Sequence, residues 1–125
     1  MELSVSQLGN VKIIHIKGKF DIECIEEFEG IFQKQLEGSK PVNLAIDMNQ
    51  LDYIDSSGIG SLIKSLNTIK NQKGVLILYG LKPMILNVFK LAKLDMFFQI
   101  MTNSEFTAKY KEDDDSDIDE LLNKI

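Results

Sequence analysis

The 125 residues contain no arginine and no tryptophan, one cysteine, one histidine and two prolines. The lack of arginine and the single cysteine and histidine each remove a class of function. All fourteen basic residues are lysine, so the chain has no planar guanidinium for bidentate recognition of phosphate or guanine. Cys24 cannot form an internal disulfide, and with His15 as the single histidine no Cys/His zinc cluster is available. No metal and no cofactor is expected. No apolar run approaches the roughly 20 residues that cross a bilayer. Met1-Glu2-Leu3-Ser4-Val5 lacks the basic and apolar regions of a secretory signal. These absences predict a cytoplasmic protein with no membrane partner.

The charge is unevenly spread. Residues 112–125 carry seven acids and one lysine, whereas residues 1–111 carry twelve acids and thirteen lysines. A near-neutral body without arginine speaks against nucleic-acid binding. With 44% hydrophobic residues the chain can bury one core, and its length suits one domain. The division expected is a domain over 1–111 and an acidic tail over 112–125.

Leu3, Val5 and Leu8 precede Gly9-Asn10, and Val11, Ile13, Ile14 and Ile16 follow it. Two β-type runs around a two-residue turn signal predict an opening hairpin. Gly18-Lys19-Phe20-Asp21 is read as the break after it. Ile25, Phe28, Ile31, Phe32 and Leu36 recur at helical spacing up to Gly38-Ser39-Lys40-Pro41. A strand is expected over Val42–Asp47 and a turn over Asn49-Gln50-Leu51-Asp52. Ile59, Leu62, Ile63, Leu66 and Ile69 define a second helix that stops at Gly74. Val75–Tyr79 reads as a buried strand, and Pro83 opens a third helix through Ala92. A short strand within Leu94–Met101 and a brief helix capped at Asn103-Ser104 follow. Strands alternating with helices predict an α/β layer structure.

Asp55-Ser56-Ser57-Gly58-Ile59-Gly60 lies where strand gives way to helix. Backbone N–H groups there lack intrahelical partners and carry the positive end of the helix dipole, so the position tolerates a phosphate. Read locally, the same residues are also a good helix cap, with Ser57 capping or bonding nearby.

The element order, Gly18-Lys19-Phe20-Asp21, Val42–Asp47, and Leu51-Asp52-Tyr53-Ile54-Asp55-Ser56-Ser57-Gly58-Ile59-Gly60 together resemble the STAS domain of bacterial anti-anti-sigma factors. The resemblance covers residues 3–110 and leaves the acidic tail outside. It implies a mixed sheet of four to five strands opened by a β-hairpin, with helices mainly on one face. It also implies an anti-sigma factor antagonist rather than an enzyme. In that family the unphosphorylated form captures an anti-sigma factor, often a GHKL-type serine kinase, and frees a sigma factor. The kinase phosphorylates the serine that here is Ser56, and a metal-dependent serine phosphatase reverses it. The resemblance implies a partner surface of Asp21, Asp55, Ser56, Ser57, Gly58 and Gly60; by their small size the two glycines would admit close backbone approach and also suit a sharp strand-to-helix turn.

Other readings compete. Asp47, taken to end a central strand, is the phosphoacceptor of a receiver-like alternative, but residues 3–17 supply no acidic pair for Mg²⁺. A STAS subunit of a signalling or lipid-transport complex would bind constitutively, without any switch at Ser56. His15 and Cys24 are expected to be structural, and Met96, Phe97 and Phe98 to be core. In the tail, Ile118, Leu121, Leu122 and Ile125 share one side of a short helix that Ser116 or Asp117 would cap. Such a helix is too short to stand alone.

Overall fold

The computed structural model describes residues 1–38 and 42–110. The acidic run and terminal helix expected over 112–125 lie outside the described residues. The Gly9-Asn10 turn joins strands β1 (Glu2–Leu8) and β2 (Val11–Phe20), antiparallel from Leu8↔Val11 to Glu2↔Lys17. A 3₁₀ turn (Ile22–Cys24) leads into α1 (Ile25–Gln35), followed by β3 (Asn43–Ile54) and α2 (Ser56–Asn71). Then come β4 (Val75–Tyr79), α3 (Pro83–Leu91), β5 (Gln99–Met101) and α4 (Asn103–Tyr110).

The sheet order is β1-β2-β3-β4-β5, with every pair after the first parallel. Each parallel crossover steps one strand in the same direction. Because such crossovers are right-handed, α1, α2 and α3 fall on one face. Phe28, Phe32, Leu62, Leu66, Ile69, Ile85 and Phe89 pack there against Ile14, Ile16, Leu44, Ile46, Leu76 and Leu78. Each such side chain, once buried, contributes roughly 1.5–3 kcal/mol before chain entropy is set against it. The opposite face is covered by α4, whose Phe106 joins Val11, Ile13, Ala45, Ile77 and Tyr79. The Tyr79 and Phe106 rings stack with centroids 3.9 Å apart. The expected mixed sheet with helices mainly on one face is therefore found, with five strands.

Several boundaries differ from the sequence reading. Gly18-Lys19-Phe20 is strand, and Asn49–Asp52, expected as a turn, lies inside β3. The register of β2 against β3 shifts twice, between His15 and Lys17 and between Gly18 and Lys19, each time leaving an extra residue on β3. Such bulges bend a strand and reset its inward positions. On the face covered by α1, α2 and α3 the buried side chains of β3 run Leu44, Ile46, Met48, Leu51, Ile54, so the spacing changes from two to three at Met48. Asp47 consequently lies within the strand and does not end it.

Two serines, Ser61 and Ser65, share the buried face of α2, while Ile59 and Ile63 are only half-buried. The left-handed residue closing α2 is Lys73 (φ 60°), one before Gly74. Gly74 is needed for space, since a Cβ there would lie 2.3 Å from the Val42 carbonyl. Of the aromatic cluster only Phe98 is core, and Met96 is 92% exposed. The cap of α4 is Thr102. Its hydroxyl accepts from the Glu105 N–H (3.1 Å) and Glu105 accepts from the Thr102 N–H (2.8 Å), a reciprocal capping box.

Candidate functional site

The paired strands β2 and β3 finish side by side, with Phe20 opposite Ile54. The next residue of each is an aspartate that turns the chain into a helix. Asp21 accepts from the Glu23 N–H (3.1 Å) and caps the 3₁₀ turn. Asp55 accepts from the Gly58 N–H (3.0 Å) and caps α2. The Asp55 N–H itself donates to the Phe20 carbonyl (3.2 Å), which ties the two turns together. The cap of α2 is thus Asp55, not Ser57, because the residue that caps must keep extended backbone and Ser57 is already helical.

Ser56 is the first residue of this 16-residue helix and its side is exposed, while Ser57 is half-buried. The N–H groups of a first helical turn have no intrahelical acceptor, so the dipole and the backbone favour negative charge here. Asp21 and Asp55 already supply carboxylates nearby. A further anion on Ser56 is therefore compatible with the helix and concentrates negative charge at its outer surface.

The two glycines have different roles. A Cβ on Gly58 would lie 2.6 Å from the Phe20 carbonyl oxygen and 2.8 Å from Ile54 Cγ1. Gly58 is buried, and its smallness serves the junction beneath the turn rather than close approach by a partner. Gly60 is exposed over open space. Of the expected surface residues, Asp21, Asp55, Ser56, Ser57 and Gly60 reach this edge and Gly58 supports it from within.

Sequence reasoning missed the apolar part of the same edge. Ile22 is 70% exposed, Tyr53 49% and Met84 72%, and they follow or end β2, β3 and β4. Lys82, the residue before α3, pairs with Asp52. Ile22, at helical spacing from Ile25, reads as the start of the first helix; it lies instead in the 3₁₀ turn before α1.

A second polar arrangement crosses the strands on the α4 side. Asp47 Oδ2 accepts from His15 Nδ1 (2.7 Å), and Ser6 Oγ lies 2.7 Å from His15 Nε2. An ionised carboxylate only accepts, so Nδ1 carries the proton and the Ser6 hydroxyl donates to Nε2 when the ring is neutral. The chain joins β1, β2 and β3. Asp47 Oδ1 accepts from the Asn49 N–H (2.9 Å) and side-chain amide (2.7 Å). Burial alone would raise the Asp47 pKa, but the bonds from Asn49 and His15 together hold it below the ordinary 3.8. With both oxygens engaged, Asp47 is a structural acceptor, and the receiver reading has no support.

The STAS domain family model matches residues 2–107. The Bordetella bronchiseptica protein BtrV, described as an anti-sigma factor antagonist, is 23% identical over 108 residues, covering 86% of this chain and 92% of that protein. A Thermotoga maritima structure, described in the same terms, superposes with a TM-score of 0.77 at 21% identity, covering 86% and 93% of the two chains. The phosphorylated form of the Bacillus cell fate determinant SpoIIAA gives 0.65 at 17% identity, covering 86% and 98%. With the family match spanning hairpin, sheet and α2, the chain belongs to the STAS domain family.

Proposed function

We propose that this protein is an anti-sigma factor antagonist switched by phosphorylation of Ser56. The observation that carries the reading is an exposed serine at the first position of a long helix, in a STAS chain similar to proteins described as such antagonists. The unphosphorylated form binds an anti-sigma factor, a GHKL-type serine kinase, in the cytoplasm and frees a sigma factor. That kinase modifies Ser56, and a serine phosphatase restores the hydroxyl. The domain over 1–111 is ligand and substrate, not catalyst. Its contact surface is Asp21, Asp55, Ser56, Ser57 and Gly60, with Ile22, Tyr53 and Met84 supplying apolar area.

A phosphate adds about −1.5 to −2 charges at pH 7. The helix terminus accommodates it, whereas a partner seated on the same edge meets bulk, desolvation and charge beside Asp21 and Asp55. Each loss of about 1.4 kcal/mol weakens binding tenfold, so a few kcal/mol release the partner. The test is capture from native cytoplasm with wild-type, Ser56→Ala and Ser56→Asp baits, read by mass spectrometry with phosphosite mapping. The expected result is a kinase-type partner held by wild type and Ser56→Ala, lost with Ser56→Asp, and phosphate on native Ser56. Equal capture by all three baits with Ser56 unmodified would favour a constitutive STAS scaffold.

A further inference from the structure

The end of the sheet opposite Ser56 carries a second exposed apolar surface. Leu91 is 85% exposed, Met96 92% and Phe97 41%. They lie at the end of α3 and in the turn leading to β5. Lys70, near the end of α2, places its Nζ 5.2 Å from the centre of the Phe97 ring, which joins the two helix ends into one patch. Lys73 and Lys93 sit in the turns that close α2 and α3, and Lys90 is in the last turn of α3. These four lysines stand at this end, and the one acid between Ser56 and Ser104 is Asp95. Large exposed apolar side chains grouped in this way mark an interaction surface.

We propose that residues 112–125 of the same chain dock on this patch. The argument is complementarity and reach. The segment carries seven acids against one lysine, with Ile118, Leu121, Leu122 and Ile125 at helical spacing. It therefore offers an apolar stripe bordered by acids to an apolar surface bordered by lysines. Helix α4 returns antiparallel to β2–β5, and Tyr110, at its end, packs on Phe106 against the cluster that includes Val11, where β2 starts. That is the same edge of the sheet as Leu91–Phe97. Three strand spacings, roughly 14 Å, and the layers on both faces of the sheet, about 20 Å, separate the two points, roughly 24 Å in all. The eight steps from Tyr110 to Ile118 span about 26–29 Å when extended, so Ile118 reaches the patch around the end of the sheet. Docking would also supply the apolar partner that so short a helix requires.

The experiment uses the full chain with Cys24→Ser and Asn123→Cys, a nitroxide on the new thiol, and amide NMR. Loss of the Leu91, Lys93, Met96 and Phe97 signals is expected, with the Ser56–Gly60 amides unaffected. The signals should return with Leu91→Ser and, independently, with Leu121→Asp/Leu122→Asp. Leu91→Ser alters an exposed side chain, so the fold persists. Unchanged signals at the patch would overturn the proposal. Signal loss seen equally when the nitroxide is on an isotopically unlabelled copy would overturn it in favour of a dimer. Patch shifts produced only by phosphatidylserine vesicles would overturn it in favour of a membrane surface.

Discussion

The Phe20 carbonyl oxygen and the Cα of Gly58 stand so close that a Cβ at position 58 would lie 2.6 Å from that oxygen. The same carbonyl accepts from the Asp55 N–H, so it cannot withdraw without opening the junction of β2 and α2. Gly58→Ala is expected to cost about 1–3 kcal/mol, the usual range for overpacking. Gly60→Ala, over open space in the same helix, should raise stability by about 0.4–1 kcal/mol. Urea denaturation of the two variants checks the pair, and equal effects would refute the steric account.

Asp55 and Ser56 separate capping from switching. Asp55→Ala removes the acceptor for the Gly58 N–H and should cost about 1 kcal/mol, while Asp55→Asn retains most of it. Ser56→Asp adds a carboxylate at the favourable end of the dipole, offset by Asp21 and Asp55. Its stability should stay within about 0.5 kcal/mol of wild type. A large drop in thermal midpoint for Ser56→Asp would mean that negative charge acts by unfolding the domain and not by blocking a surface.

Much of this was legible in the sequence, because hairpin and helices announce themselves locally. Gly9-Asn10 between β-type runs, the α1 stripe of Phe28 and Phe32, and Pro83 at the start of α3 all depend on neighbours within a few residues. The second half of β3 was hidden for a physical reason. Two bulges move its inward positions to Met48, Leu51 and Ile54, and a spacing of three resembles a turn more than a strand. The cap at Thr102 was readable from Thr102-Asn103-Ser104-Glu105, but Asn103 and Ser104 are equally good cap residues when taken singly. At the candidate site the motif located Ser56 and Asp55. The burial of Gly58 and the bond between Asp55 and Phe20 arise from pairing between distant strands, and no local pattern encodes them. The Ser6, His15 and Asp47 chain was invisible for the same reason, each member coming from a different strand.

Asp47 makes a prediction at low pH. Its pKa is depressed in the folded state, so the unfolded chain binds the proton more readily. The stabilisation is fully present above the unfolded value near 3.8 and is lost as pH falls through the lower folded value. Denaturant midpoints measured from pH 5 downward should therefore decline in that window. Asp47→Asn should flatten this acid limb while costing stability at neutral pH, because the His15 Nδ1 proton then loses a charged acceptor. An acid limb identical to wild type would show that other carboxylates govern it.

Tyr79 makes the converse prediction at high pH. Burial first, and then the negative charge of Asp47, push its phenol up to about 12. A raised pKa means that the folded state holds the proton more firmly, so stability is unaffected below the unfolded value near 10.0 and declines as pH rises from there toward about 12. The loss across that window is on the order of 2 kcal/mol. Tyr79→Phe keeps the ring that stacks on Phe106 and removes the titration. The variant should match wild type closely at pH 7 and be the more stable of the two near pH 11. Denaturation at both pH values, with phenolate absorbance followed in wild type, tests this directly. A parallel alkaline decline in the two proteins would assign the loss to lysine deprotonation and not to this phenol.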